Sequence, residues 1–262
     1  MRVLVTGATG NVGRIVVEQL VRQGVPVRAL TRDPASATFP EEVEVARGDL
    51  TDPAALPLEG IDRMYLFPLP GTAGGVVARA VDAGVRRIVT LSSGAVTFGH
   101  DTDYHLPVEQ AVEASGLEWT HVRPGEFALN KLWLWGPSIR AESVVRDPNP
   151  DVAWFPTHER DIADVAVAAL TEDGHAGQAY TVNGPQQISY RDQVRAIAGA
   201  IGREVRFEVV SREHARELYL AQGGFAAANA DFLLGYESYS GEEQDGPDTE
   251  WADQEWPMPT AE

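Results

Sequence analysis

Short apolar runs rich in β-branched residues alternate with amphipathic stretches over the first 125 residues. The runs predict six β-strands, at residues 2–6, 25–30, 43–47, 63–67, 86–91 and 118–122. The stretches between them carry apolar residues at helical spacing and predict helices, at residues 11–22, 71–83 and 102–115. A proline-interrupted connection at 51–60 favours only a short helix. Repeated strand–helix units of this kind predict an α/β fold with a doubly wound, parallel sheet.

The pattern changes after Pro124. Residues 126–157 hold several tryptophans and prolines and predict loops and short elements. Further elements follow: a helix over 161–171 capped by Asp161, a strand at 178–182, a helix from its cap Ser189, a strand at 203–210 and a helix over 212–222. We therefore expect a core domain at 1–125 and a small α+β subdomain at 126–236 that is interleaved with that core.

The acidic residues are unevenly distributed. The sequence has 39 acidic and 21 basic side chains and a formal charge of −18. Residues 237–262 hold acidic side chains but no lysine or arginine, and their polar composition predicts a flexible tail. The charge excludes unaided binding to nucleic acid or to an anionic membrane. A homodimer and a protein partner bound by the tail both remain open.

Other classes of protein are excluded by what the sequence lacks. It contains no cysteine, which excludes disulfides, thiolate metal sites and a cysteine nucleophile. No apolar run approaches the roughly 20 residues that cross a bilayer. The first residues, MRVLVTG, lack the features of a secretory signal, so we expect a cytoplasmic protein.

Three glycines stand between the first predicted strand and the first predicted helix, at Gly7, Gly10 and Gly13. Glycines here permit a tight turn, the approach of a pyrophosphate to the backbone, and close packing of helix on strand. The following helix N-terminus offers N–H groups to phosphate oxygens. The sequence therefore predicts a dinucleotide site at this loop.

The loop sequence TGATGNVG at 6–13 resembles that of the atypical short-chain dehydrogenase/reductases, and other stretches resemble their NmrA-like branch. These stretches are ALTRDP at 29–34, GDL at 48–50, LSS at 91–93, HVRPGEFALN at 121–130 and HERDIADVAVAAL at 158–170. The resemblance implies a Rossmann-type core that binds NAD(P)H. The branch includes NADPH-dependent quinone reductases and redox-sensing regulators.

The end of the second strand distinguishes the two dinucleotides, because an acidic residue there binds a ribose 2′-hydroxyl and an arginine accommodates a 2′-phosphate. The sequence has Arg32 at this point and Asp33 one residue later. We therefore predict NADP(H) in preference to NAD(H). The alternative is that Arg32 only caps a loop and Asp33 faces the ribose.

The resemblance implies further cofactor contacts. Asp49 would bind the adenine amino group with Leu50 against the ring, although Asp49 could instead cap a following helix. The candidate cofactor residues are Gly7, Thr9, Gly10, Asn11, Val12, Gly13, Arg32, Asp49, Leu50, Phe67, Ser92 and Pro124.

The catalytic pair that most of the family uses, a tyrosine with a lysine four residues later, is absent. The single lysine is Lys131, and position 127 is Phe127. His105 and Glu109 stand where that tyrosine and lysine usually fall.

His105 is the first candidate proton donor, since imidazole titrates near neutral pH, and Ser93, Tyr104 and Asn130 are further candidates. A purely structural hydrogen bond of His105 is equally open. Glu109 is expected to be a helix-face carboxylate without a chemical role, and an i, i+4 pair with His105 is the alternative.

The segment after the sixth strand is expected to contact the substrate. Phe127, Trp133 and Trp135 predict a flat apolar surface, or else the packing of the subdomain. His158 and the carboxylates after it lack zinc-site spacing and are assigned to a helix start, so no metal is predicted.

Three functions remain open on the sequence alone. The first is an NADPH-dependent reductase of a planar or conjugated small molecule, such as a quinone, an enone or an aromatic polyketide-like compound. The second is a non-enzymatic NADP(H) sensor. The third is an NADP-requiring isomerase, cyclase or lyase of a biosynthetic pathway.

Overall fold

A computed structural model describes residues 1–237 and residue 243. The chain divides into two compact units. The first unit comprises 1–124 and 159–182, and the second comprises 125–158 and the chain from 183 onward. Apart from Glu237 and Glu243, the predicted flexible tail lies outside the described residues.

Both units contain strands and helices. The strands are β1 (Val3–Val5), β2 (Val27–Thr31), β3 (Glu44–Arg47), β4 (Arg63–Leu66), β5 (Arg87–Leu91), β6 (Glu118–Pro124), β7 (Val144–Asp147), β8 (Ala153–Trp154), β9 (Gln178–Val182), β10 (Ile188–Ser189) and β11 (Arg206–Val209). The helices are α1 (Gly13–Arg22), α2 (Ala73–Asp82), α3 (Gly94–Thr97), α4 (Leu106–Glu113), α5 (Asn130–Leu134), α6 (Gly136–Glu142), α7 (Glu159–Thr171), α8 (Tyr190–Ile201), α9 (Arg212–Gln222), α10 (Gly224–Ala228) and α11 (Ala230–Leu233). A 3-10 helix at Pro53–Ala55 fills the proline-interrupted connection.

The first unit contains a seven-stranded sheet in the order β3-β2-β1-β4-β5-β6-β9. Every neighbouring pair in it is parallel. This confirms the predicted doubly wound, Rossmann-type sheet. The strand order reverses between β1 and β4, and ligands of such sheets bind at the carboxyl ends of the strands beside this reversal.

Helices cover the sheet in two packed pairs. Helix α1 contacts α7, and α2 contacts α4. Leu4, Met64 and Ile88 on the central strands are fully buried in the same cluster as α2 and α4 residues. Arg87, 3% exposed, donates to the Ala169 carbonyl at the end of α7 at 3.0 Å. The later segment 159–182 is thereby an integral part of the first unit.

The second unit is α+β, as predicted. It holds a parallel pair of β7 and β11 and an antiparallel pair of β8 and β10. Its core includes Trp135, Tyr190 and Tyr219. Ser189 caps α8 by accepting from the Asp192 N–H at 3.1 Å, as the sequence predicted. Among the described residues of both units, no helix has the length and apolarity to cross a membrane.

Helix α7 differs from its prediction because it begins at Glu159, two residues before the expected cap Asp161. Both carboxylates lie in its first turn, where they favour the positive end of the helix dipole.

Candidate active site

The glycine loop follows β1 and leads into α1. Gly7 has a φ of +59°, which favours glycine, and the Gly10 N–H donates to the Gly7 carbonyl at 2.9 Å. A Cβ added at Gly13 would lie 2.2 Å from that same carbonyl oxygen. The loop therefore needs glycine at both ends, one for its turn and one for its contact with the helix.

The loop has the features of a phosphate cradle. Thr9, Gly10 and Asn11 are exposed, while Val12 and Gly13 are buried. No side chain of the described residues caps the N-terminus of α1. Its N–H groups and positive dipole end can therefore serve a pyrophosphate. These residues fit a bound dinucleotide.

Thr6 is a residue that the sequence prediction missed. Its hydroxyl donates to the Tyr65 carbonyl at 3.0 Å and accepts from the Phe67 N–H at 2.7 Å. These bonds join the ends of β1 and β4 at the strand-order reversal. Phe67 is 42% exposed, and a Cβ on Gly7 would come within 3.1 Å of its side chain. Phe67 thus forms one wall of the glycine loop.

Arg32 and Asp33 follow β2 and are both exposed. The Asp33 carboxylate accepts from the Ala35 N–H at 3.2 Å, and the Asp33 N–H donates to the Thr31 hydroxyl. Asp33 is therefore engaged in its own turn, and Arg32 supplies the positive charge at the end of the strand.

Asp49 follows β3 and lies close enough to Arg32 to interact with its charge. Its carboxylate accepts from the Thr51 N–H at 2.9 Å, and this bond holds the pKa of Asp49 below its usual range. It does not cap the 3-10 helix, whose cap position is Asp52. Leu50 is buried in the core of the first unit.

His105 lies at the start of α4 and forms a pair with Asp101. Its Nδ1 lies 2.5 Å from Asp101 Oδ2. Asp101 is fully buried and also accepts from the N–H groups of Tyr104 and His105, at 3.0 and 2.9 Å. Burial alone would raise the pKa of Asp101, but the His105 hydrogen bonds outweigh it and lower that pKa. Asp101 is thus an ionised group that orients the imidazole.

Glu109 was expected to be a helix-face carboxylate, with a His105 pair as the alternative, and the structure shows a buried carboxylate paired with Arg123 instead. It is 1% exposed, and Arg123 donates to its two oxygens at 2.9 and 2.5 Å. Burial would raise the pKa of Glu109, but the hydrogen bond from Arg123 lowers it overall. The i, i+4 spacing of His105 and Glu109 does not produce a pair. The His105 Nδ1 pairs instead with Asp101, which stands four residues before it in the sequence.

His121 on β6 completes the buried group around Glu109. It is fully buried, stacks on Trp119 at 4.6 Å, and has its Nε2 3.4 Å from Glu113. Burial lowers the pKa of His121 despite the opposing charges of Glu109 and Glu113. Among the described residues, Glu109, Glu113 and His121 bring three metal-ligating atoms within 4.8 Å of one another. Because Arg123 donates to both Glu109 oxygens, we assign Glu109, Glu113 and His121 to ion pairing.

The remaining first-unit candidates have different surroundings. Tyr104 is 42% exposed, with its ring 4.8 Å from that of His105. Ser93 caps α3 by accepting from the Ala95 N–H at 3.2 Å. Ser92 and Pro124 are buried at the carboxyl ends of β5 and β6. Ser92, Ser93 and Pro124 therefore stand at the carboxyl ends of strands, where ligands of this fold bind.

The candidate substrate residues belong to the second unit. Phe127 is half-buried and Trp133 is 49% exposed. Trp135 is 1% exposed and packs edge-on against Tyr190 at 5.5 Å, in the core. Asn130, half-buried, begins α5 with its N–H on the Phe127 carbonyl. Of the three aromatic candidates, Phe127 and Trp133 therefore retain exposed surface.

The Lys131 side chain is buried among charged and aromatic partners of the second unit. It is 6% exposed, with its Nζ 2.6 Å from Glu126 Oε1. The same ammonium lies over the rings of Tyr190 and Trp135, at 4.0 and 4.6 Å from their centres. The only lysine of the sequence is thus enclosed by a carboxylate and two aromatic faces.

The sequence model of the NAD(P)H-binding family matches residues 7–173. The chain belongs to this NAD(P)H-binding family. The match includes the glycine loop, Arg32, Asp49 and the Asp101–His105 pair.

Two characterised relatives are reductases. The chain is 42% identical over 230 residues to the (4-alkanoyl-5-oxo-2,5-dihydrofuran-3-yl)methyl phosphate reductase of Streptomyces griseus, covering 84% of this chain and 81% of the relative. It is 36% identical over 262 residues to the NAD(P)H azoreductase of Xenophilus azovorans, covering 89% of each chain. This chain is accordingly an NAD(P)H-dependent oxidoreductase.

A solved structure supports the fold. The triphenylmethane reductase of Citrobacter sp., complexed with NADP(H), superposes with a TM-score of 0.74 at 22% identity, over 88% of this chain and 87% of that one. This likeness supports the Rossmann-type architecture.

Proposed function

We propose that this chain uses NADPH to reduce a conjugated carbonyl compound, a quinone or an enone, with His105 as the proton donor. The observation that carries the proposal is the Asp101–His105 pair at the position where the family's tyrosine usually stands. Asp101 accepts the Nδ1 proton of His105 and fixes the direction of the ring. In this proposal the Asp101–His105 pair takes the place of the missing tyrosine–lysine pair.

Two relatives support the acceptor class. The name of the Streptomyces griseus enzyme describes a dihydrofuranone whose ring double bond is conjugated with carbonyl groups, and that of the Xenophilus azovorans enzyme describes azo compounds. Both kinds of acceptor are conjugated. We assign the contact with a planar acceptor to Phe127 and Trp133, whose rings keep exposed surface.

The residues divide the chemistry between them. NADPH, when bound, would supply a hydride to a carbon of the conjugated system, and the acceptor oxygen then needs a proton. His105 transfers its proton to that oxygen, which completes the reduction with one hydride and one proton. Asp101 stabilises the positive charge that the imidazole carries before the transfer. Arg32 binds the 2′-phosphate that distinguishes NADPH from NADH.

The test is NADPH consumption with a panel of a quinone, an enone, an azo dye and a dihydrofuranone phosphate. We expect turnover of at least one carbonyl-bearing member. His105→Ala should lower kcat by about 10²- to 10⁴-fold while leaving the Kd of NADPH unchanged. Asp101→Asn should lower kcat less, because the imidazole remains. His214→Ala, at an exposed histidine of α9, is the matched control.

Two outcomes would contradict the proposal. One is tight NADPH binding without turnover of any panel member. The other is full turnover by His105→Ala, which would remove the imidazole from the mechanism.

A further inference from the structure

Three chain segments of the second unit meet at residues 125–128, 155–157 and 183–184, which we call the Gly125 junction. Phe127 and Thr157 form a parallel β-bridge. The Thr157 N–H donates to the Glu126 carbonyl at 2.7 Å, and the Gly184 N–H donates to the Phe155 carbonyl at 3.3 Å. Backbone hydrogen bonds therefore fix the three segments against each other.

The junction follows two neighbouring strand ends along the chain. Pro124 and Val182 are register partners at the ends of β6 and β9, and Gly125 and Asn183 are the next residues. The carboxyl ends of parallel strands are where ligands of doubly wound sheets bind. Asn183 is therefore the first residue after a strand end of the kind that contacts ligands.

The Asn183 side chain is buried without a hydrogen-bond partner. It is 7% exposed, and neither its Oδ1 nor its Nδ2 forms a hydrogen bond with the described residues. A buried amide without a partner is costly, and most such groups in native proteins are satisfied by protein, water or ligand. An unpaired amide in a rigid junction therefore indicates a missing partner.

Packing determines which end of the amide is available. A Cβ on Gly125 would lie 2.3 Å from Asn183 Oδ1, so this oxygen rests directly on the Gly125 backbone. A Cβ on Gly184 would similarly lie 2.1 Å from the Pro156 carbonyl oxygen. The contact with Gly125 holds Oδ1 against the backbone, while the two Nδ2 hydrogens have no acceptor among the described residues.

We infer that Asn183 is a substrate-binding residue whose Nδ2 donates a hydrogen bond to a carbonyl oxygen of the acceptor. This rests on the proposed reduction of a conjugated carbonyl compound. An amide N–H held by a rigid backbone is the kind of donor that stabilises negative charge on an acceptor oxygen. It selects acceptors with a carbonyl over hydrocarbons of the same shape, because an apolar ligand leaves the amide unpaired.

The test compares two flat ligands of the same ring size, 1,4-naphthoquinone and naphthalene, by calorimetry in the presence of NADP⁺. The oxidised cofactor prevents reduction, and the absence of cysteine leaves the quinone no thiol to modify. We expect the native chain to bind the quinone about tenfold more tightly than naphthalene, as one well-placed hydrogen bond permits. Asn183→Leu, similar in volume but without donors, should bind both ligands equally.

A control and a second variant keep the result interpretable. Gln193→Met replaces another buried amide, which has its own partner in the Ile188 carbonyl, and should retain the quinone preference. Asn183→Asp keeps the shape but exchanges the donor for an acceptor, so it should lose the preference even if Asn183→Leu fails to fold.

The inference is overturned if the native chain shows no quinone preference or if both Asn183 variants keep it. If the Asn183 amide only binds a structural water, both variants should keep the quinone preference and should melt at a lower temperature than the native chain. NADPH turnover is measured separately. A quinone preference that depends on Asn183 without turnover would refute the reductase proposal and leave the carbonyl-binding role of Asn183 standing.

Discussion

Arg123 donates two hydrogen bonds to the Glu109 carboxylate, at 2.9 and 2.5 Å. The Glu109 side chain has almost no contact with solvent. The pair joins β6 to α4, the helix that begins beside His105. An ion pair in this position fixes the helix that carries the proposed proton donor.

Breaking this pair should be costly, whereas replacing both partners should cost less. Glu109→Gln or Arg123→Met alone should lower the free energy of unfolding by about 3–5 kcal/mol, because one buried charge loses its partner. The double substitution should recover part of that loss. Urea unfolding of the four proteins measures the difference. Additive losses would contradict the prediction.

Acid should destabilise the native chain through the same carboxylate. The pKa of Glu109 is lower in the folded state, so its contribution to stability is present above the unfolded pKa of about 4.5 and is lost as the pH falls through the folded value. The unfolding free energy of the native chain should therefore fall as the pH is lowered from about 5. Glu109→Gln should show a smaller fall over the same pH range. Equal pH slopes would be inconsistent with a lowered pKa.

Gly13→Ala should damage the nucleotide loop. Its methyl group would meet the Gly7 carbonyl, at 2.2 Å, so the loop or α1 must shift. We expect a destabilisation of about 1–3 kcal/mol and weaker NADPH binding, measured by thermal unfolding and by fluorescence titration. Gly199→Ala in α8 is the control, because a Cβ there meets no atom within 4 Å. It should stabilise the chain by about 0.5–1 kcal/mol and leave cofactor binding unchanged.

Arg32→Ala should remove the preference for the phosphorylated dinucleotide. Losing a charge-assisted contact to phosphate should weaken NADPH by tenfold or more, as about 1.5–3 kcal/mol implies, and should spare NADH. Arg22→Ala, at an exposed arginine in the last turn of α1, should change neither Kd. A native chain that binds NADH as tightly as NADPH would refute the role given to Arg32.

Lys131 should behave as a structural cation. Lys131→Met keeps the apolar stem but leaves Glu126 without its partner, and should cost about 3–5 kcal/mol of unfolding free energy. Amine-reactive reagents should modify Lys131 slowly in the native chain and rapidly in urea, as mass spectrometry of its peptide would report. Rapid modification of the native side chain would contradict the enclosure described above.

The sequence predicted most of the architecture because the signals were local. The β-branched runs before Thr6 and around Ile88 predicted their strands, and the glycine spacing located the nucleotide loop. What it missed depends on contacts between distant residues. Glu109 was assigned to a helix surface because helical spacing alone does not reveal Arg123, which lies 14 residues away on β6.

Asp101 and Asn183 were missed for different reasons. Asp101 stands in an irregular segment before α4, where no periodic pattern marks a residue as buried. Asn183 acquires its setting from Gly125, which is distant in sequence. The aromatic cluster was only partly interpretable, since Trp133 and Trp135 are two residues apart and yet one is exposed and the other lies in a core.

The return of residues 159–182 to the first unit bears on how the chain is synthesised. Residues 125–158 emerge from the ribosome before α7 and β9, so the parallel sheet lacks its last strand and one of its covering helices until residue 182 is available. Domains generally fold as units during translation. The unit that holds the nucleotide loop therefore closes only after α5, α6, β7 and β8 of the second unit have been made.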